Sequence, residues 1–229
     1  PQYADNFDAS VEYYFEPAGL LTAGVFLKEI SDFIYTNSDQ YIAAGTDNGF
    51  DGEYVGYNLR TSDNGGFAKI KGMELAWQQQ FTFLPGFFKG LGAFANYTWL
   101  DARGDMGAGN AITLGQVNTH TDEVPNFIPE TGNAGISYIQ GKISLRFQFN
   151  HVGRYLQSYN NNRSRLLYRR ARSTLDVKFN YQINRNLDFY CDIWNVLAEA
   201  DRSLEYFGGR PQRMDKLDAQ FFFGFRGRL

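Results

Sequence analysis

Six arginines crowd between residues 154 and 172: Arg154, Arg163, Arg165, Arg169, Arg170 and Arg172, with Tyr155, Tyr159 and Tyr168 among them. A guanidinium fork binds carboxylate or phosphate oxygens in pairs, and its plane stacks on aromatic faces. That chemistry suits capture of an anionic small-molecule ligand. Arg154, Tyr159, Arg163, Arg165, Tyr168 and Arg169 are the candidate contacts. A second charged set is Arg146, Asp176, Lys178, Asp188, Asp192, Arg226 and Arg228. These residues recur at alternate positions, so they share a face and are expected mainly to pair with one another.

Other polar groups carry weaker signals. Asp47, Asn48, Asp51 and Glu53 offer hard oxygen ligands, but their spacing does not match the EF-hand loop, so no metal is expected; Asp101 and Asp105 fare no better. His120 and His151 lack partners at metal-ligand spacing, which argues against zinc or haem, and no cofactor is expected. Ser158 and His151 are the nearest nucleophile–base pair in sequence, without a convincing orienting carboxylate, so the chain does not read as an enzyme. The glycine-rich stretch at 104–109 has no helix behind it and is no phosphate loop. Asn96-Tyr97-Thr98 matches a glycosylation pattern but falls inside a strand pattern.

Composition narrows the setting. The 229 residues are 43% hydrophobic, 17% aromatic and 21% charged, which excludes a disordered or collagen-like chain. The net charge of −3 gives no basis for nucleic-acid binding. A single cysteine, Cys191, excludes an intrachain disulfide and a cysteine-based zinc site. No apolar run reaches the length of a transmembrane helix, and no signal peptide is visible at the start.

Alternation dominates the chain. Leu217, Ala219, Phe221, Phe223, Phe225, Gly227 and Leu229 interleave with Asp218, Gln220, Phe222, Gly224, Arg226 and Arg228, the two-residue period of a strand. The same pattern predicts nine strands, at roughly 5–15, 20–35, 66–83, 90–102, 127–139, 142–155, 169–182, 186–197 and 217–229. The frame slips near Gly72, which predicts a bulge. Residues 53–60 either extend the third strand or pair within its loop. Short connections at 16–19, 84–89, 140–141 and 184–185 alternate with long ones at about 36–65, 103–126, 156–168 and 198–216.

Long strands, alternating loop lengths and charges on one face describe an outer-membrane β-barrel better than a soluble sandwich. Tyr13, Tyr97, Trp99 and Tyr181 near strand ends fit aromatic girdles, and Cys191 is expected to face lipid. Short turns belong on the periplasmic side, which places the C-terminus in the periplasm. Nine is an odd number, and an open edge in lipid is not viable, so the strands read as part of a larger barrel. In that setting the basic loop also suits lipopolysaccharide phosphates.

The chain resembles the C-terminal part of a TonB-dependent receptor. The resemblance rests on residues 24–30 through Phe33-Ile34, Gly72-Met73-Glu74-Leu75, Leu84-Pro85-Gly86 with Gly90-Leu91-Gly92, Asn96-Tyr97-Thr98, Asn195-Val196-Leu197 and the terminal strand, in the family's order and spacing. It implies an antiparallel transmembrane barrel of about 22 strands, these being the last nine. It also implies an N-terminal plug that this chain does not include, contact with the TonB complex through that missing region, and import of a scarce ligand. A siderophore-like iron chelate is the family default, ahead of oligosaccharide or cobalamin. The alternative is a passive porin or structural barrel protein. Phe221, Phe223, Phe225 and Leu229 would form the signal read by the barrel-assembly machinery, with Leu229 standing where the family usually ends in an aromatic residue.

Overall fold

A computed structural model describes residues 1–105, 123–158, 163–206 and 209–227. The protein is built almost wholly from antiparallel strands. Nine form one continuous sheet: β1 (Tyr3–Phe15), β2 (Gly19–Tyr41), β3 (Asn58–Gln80), β4 (Leu91–Asp105), β5 (Glu130–Gln140), β6 (Ile143–Val152), β9 (Arg172–Asn184), β10 (Leu187–Trp194) and β13 (Gln220–Gly227). Their order in the sheet is their order in the chain. Each long strand pairs with the next one made, which is the meander expected when every second connection is a tight turn. Among the described residues no helix is long and apolar enough to cross a membrane.

The register shows why the alternation is so regular. Tyr13, Leu21, Trp77, Ala95, Ala134, Phe149 and Leu175 stand side by side across seven strands. Ile136, Phe147, Val177, Ile193 and Phe221 continue the apolar face to the last strand. The opposite face carries Glu12, Thr22, Ala76, Asn96, Asn133, Asn150 and Thr174 in one row. A one-residue slip anywhere would place every side chain beyond it on the wrong face. Cys191 lies in the apolar face, paired with Phe179 and Phe223.

The predicted bulge at Gly72 is absent. Gly72 pairs in register with Phe26 on one side and Leu100 on the other. What changes there is the polarity of the two faces. Below Gly72 the apolar face carries Val25, Met73 and Trp99; above it the same face carries Lys71 and Asp101, then Glu29, Lys69 and Arg103. The other face inverts as well, because Ala68 is buried with Val124, and Ile30, Ala102 and Phe127 pack around them. The sheet therefore exchanges its wet and dry sides while keeping its register. Gly72 is glycine for a local reason: a Cβ would strike the Trp99 carbonyl oxygen and the Phe26 ring.

The sequence also understated β2 and β3, which run far into the segment expected to be a loop. Those arms are rich in Asn, Ser, Asp and Gly and obey no alternation; of the two readings offered for 53–60, β3 starting at Asn58 agrees with an extension of the third strand. Register shifts at 31–34 and 37–40 mark the irregularity. Four further short strands, β7 (Tyr155–Ser158), β8 (Leu167–Arg169), β11 (Asp201–Glu205) and β12 (Pro211–Asp215), were not expected. They form a second sheet in the order β12-β11-β8-β7. It is made entirely from the two long connections β6–β9 and β10–β13, and it caps the long-loop end.

Candidate functional site

The cap holds the arginine-rich segment. Leu156, Leu166 and the Tyr168 ring form its small buried core. The Arg154 guanidinium lies 3.8 Å over the Tyr168 ring centroid, a cation–π contact. Arg169 is paired with Asp201, whose second oxygen is 3.8 Å from Arg172. Hydrogen bonding to Asp201 raises the Arg169 pKa further above its already high value, so this cation does not titrate. Ser203 Oγ donates to Gln157 Oε1 at 3.0 Å, tying β11 to β7 across β8. Arg210–Glu205, at 3.1 Å, closes the outer hairpin, and Arg213–Asp215, at 2.8 Å, runs along β12.

The six sequence-predicted contacts thus divide. Tyr168 and Arg169 build the cap itself. Arg154 and Arg165 are exposed on it, as is Arg170. Arg163 opens a short 3-10 turn, and Tyr159 lies outside the described residues.

A second feature at this end was missed. Residues 42–57 form a closed loop built around Asn48. Its amide donates to the Ala43 and Glu53 carbonyls at 3.0 Å each, and its Oδ1 accepts from the backbone N–H of Phe50 and Gly52 at 2.9 and 3.1 Å. Every position of that amide is used for the loop, so its oxygen is not free for a cation. Ile42 and Tyr57 close the neck, with a 3.0 Å backbone bond. The loop presents Phe50, Tyr54 and Tyr57, edge to face, with centroids 5.9 and 6.0 Å apart. Tyr54 sits at φ 56°, a strained position for a bulky residue. Asp47, Asp51 and Glu53 belong to the same loop. The legible signal was Asn-Gly and Asp-Gly turn pairs alternating with aromatics in 48–57.

Asn195 anchors the cap to the main sheet. Its backbone N–H donates to Asp176 at 2.9 Å. Its amide nitrogen donates to the Glu199 and Leu217 carbonyls at 3.2 and 2.8 Å, while Oδ1 accepts from the Glu199 N–H at 3.1 Å. Glu199 near the start of the β10–β13 connection and Leu217 near its end are thereby held together by one side chain. Asp176 also accepts from Asn150 at 3.1 Å.

On the polar face, Ser137, Arg146, Lys178 and Asp192 form one row. Arg146 rests 4.5 Å over the Phe94 ring and Arg226 5.5 Å from the Tyr190 ring. Aromatic faces hold these two guanidinium groups, and Asp188 stands opposite Arg226 in the register. Arg228 lies outside the described residues. Phe221, Phe223 and Phe225 all stand on the apolar face of β13, Phe223 73% exposed, and Phe225 meets Phe189 at 5.5 Å. Leu229 is outside the described residues.

His151 does find a serine and a carboxylate, though not the serine nearest in sequence. Its Nδ1 is 2.9 Å from Ser173 Oγ, and its Nε2 is 3.8 Å from Glu130. Tyr97 donates to Glu130 at 3.2 Å. The Glu130 contact is too long to orient an imidazole by hydrogen bonding. The group lies at the top of the apolar face beside Trp99, the position of a polar–aromatic girdle.

The family model for the TonB-dependent receptor-like β-barrel matches residues 1–200, and the chain belongs to that family of outer-membrane proteins. Solved structures agree. The ferric-catecholate import receptor Fiu from Escherichia coli K12 is 18% identical with a TM-score of 0.64, covering 99% of this chain and 28% of its own. The ferric yersiniabactin uptake receptor FyuA from Yersinia pestis is 16% identical with a TM-score of 0.62, over 98% and 29%. The copper transporter OprC is 15% identical with a TM-score of 0.65, over 99% and 31%. The chain thus spans about 30% of the length of these receptors. No curated protein matches it.

Proposed function

We propose that this chain is the C-terminal portion of the barrel of a receptor that imports a scarce ligand across the outer membrane with energy from the inner membrane. The observation that carries this reading is the gathering of three described long connections at one end of a nine-stranded sheet. Two of them fold together into an arginine-bearing cap, and a third presents an aromatic loop. That end is extracellular, and the short turns and C-terminus are periplasmic. The apolar face meets lipid and the polar face lines the lumen. Barrel strands alternate in this way because lipid and water lie on opposite sides.

The favoured ligand is a siderophore-like iron chelate, ahead of oligosaccharide or cobalamin. Two kinds of support favour it: the exposed residues Arg154 and Arg165, with Arg163 and Tyr159 in the same connection, and the ferric-chelate receptors among the structural neighbours. Plug and TonB-contacting segment lie outside these residues. Outer-leaflet lipopolysaccharide and the barrel-assembly machinery are the other proposed partners.

The test is uptake of radiolabelled ferric siderophores by cells carrying the full-length receptor. Saturable uptake that stops when a protonophore collapses the inner-membrane gradient is expected. Unsaturable uptake indifferent to the protonophore would instead indicate a passive porin.

A further inference from the structure

The turn between β3 and β4 differs from the other short turns. Those are polar: Glu16-Pro17-Ala18, Gly141-Lys142 and Arg185-Asn186. This one reads Phe81-Thr82-Phe83-Leu84-Pro85-Gly86-Phe87-Phe88-Lys89-Gly90. Three of its rings project into open space: Phe83 is 60% exposed, Phe87 65% and Phe88 55%. Burying one such ring stabilises by about 2–3 kcal/mol, so three together in water would be a standing cost.

The turn is also rigid. Phe81 N–H donates to the Leu91 carbonyl at 2.8 Å and Leu84 N–H to the Phe81 carbonyl at 2.9 Å. A 3-10 turn spans Gly86–Gly90. Gly90 is buried, and a Cβ there would meet the Ile139 carbonyl oxygen at 2.7 Å. The rings are therefore held in place.

Their location identifies what they meet. Phe87 packs on Tyr138, with centroids 4.6 Å apart, and meets Phe88 edge to face at 5.9 Å. Tyr138 belongs to the apolar face, in the row of Leu91, Leu145, Phe179, Cys191 and Phe223. The aromatic turn thus continues the lipid-facing surface past the ends of the strands. Lys89 follows at once and is exposed, as a cation beside headgroup phosphates would be.

We propose that this turn is a membrane anchor: Phe83, Phe87 and Phe88 insert into the headgroup–acyl boundary of the periplasmic leaflet, with Lys89 on its phospholipid phosphates. Aromatic side chains favour that boundary, and a rigid turn loses little entropy on entering it. This inference rests on the membrane-barrel reading above.

The experiment uses the full-length receptor in a cysteine-free background, reconstituted in phosphatidylethanolamine–phosphatidylglycerol vesicles. Single nitroxide labels are placed through Phe88→Cys, Lys142→Cys and Ala134→Cys. Relaxation by oxygen, which concentrates in lipid, is compared with relaxation by a water-soluble nickel chelate. The label at 88 is expected to show an oxygen-to-nickel ratio several-fold above that at 142 and approaching that at 134. A label at 88 as nickel-accessible as that at 142, with 134 in lipid, overturns the anchor alone. Nickel access at 134 overturns the membrane-barrel reading itself. A label at 88 that is water-exposed in vesicles but immobilised in native outer membranes assigns the turn to a protein partner and also overturns the anchor.

Discussion

Asn195 shows how much one side chain holds. It makes three hydrogen bonds to the ends of a long connection, and its backbone reaches Asp176. At about 0.5–1.5 kcal/mol net per bond, Asn195→Ala should loosen the cap by roughly 2–4 kcal/mol without unfolding the main sheet. Limited proteolysis checks this: cleavage within 195–219 should accelerate while the barrel keeps its heat-modifiable migration. Asp201 plays the matching role within the cap. Asp201→Asn leaves the half-buried Arg169 without its counter-charge, and local opening measured by hydrogen exchange at β8 and β11 should become easier by about 1–3 kcal/mol. Neither role was readable beforehand. The resemblance singled out Asn195-Val196-Leu197 without a reason, and the partners of Arg169 lie some thirty residues away, beyond any local pattern.

The long strands were the legible elements. Their two-residue period comes from a sheet wet on one side and apolar on the other, and nine were found in order. Legibility ended where that contrast ended. Above Gly72 the faces exchange, so the pattern resembled a bulge; the strand in fact continues in register. The inversion is what a barrel wall shows on leaving lipid. Lys71 and Asp101 meet water on the outside, while Ala68 and Ile70 are covered inside. It follows that charge tolerance should change sharply with height. Ala134→Arg, in the middle of the apolar face, should destabilise the folded receptor in vesicles by about 2–4 kcal/mol, whereas a charge swap at Lys71 should cost about 0–1 kcal/mol. Urea titration in lipid vesicles measures both. The short strands of the cap escaped because each has only three to five residues, too few to display a period, and their partners come from a different connection.

Seen whole, the molecule is a wall with its folded long connections at one end. The sheet is indifferent to ligand identity and positions two unlike surfaces on its rim: a basic cap and an acidic, aromatic loop locked by Asn48. The basic surface was legible as a run of arginines, although two of its six candidate residues serve the cap's own construction. The aromatic loop was not, since its acidic residues drew attention to metal binding instead. If both surfaces contact ligand, Tyr54→Ala and Arg165→Ala should each weaken ligand binding about 5- to 30-fold, the effect of losing roughly 1–2 kcal/mol of stacking or charge-assisted contact. Calorimetry on the purified full-length receptor, with a ferric siderophore identified by the uptake assay, reads this directly.

All of this depends on the long connections facing outward. In the full-length receptor, with Cys191 replaced by Ser and no other thiol, Thr46→Cys and Lys142→Cys would be labelled on living cells with a membrane-impermeant maleimide. Thr46→Cys should react on intact cells. Lys142→Cys should react only after the outer membrane is permeabilised. Labelling of Lys142→Cys on intact cells, with Thr46→Cys protected, would contradict the account, because the cap and the aromatic loop would then face the periplasm.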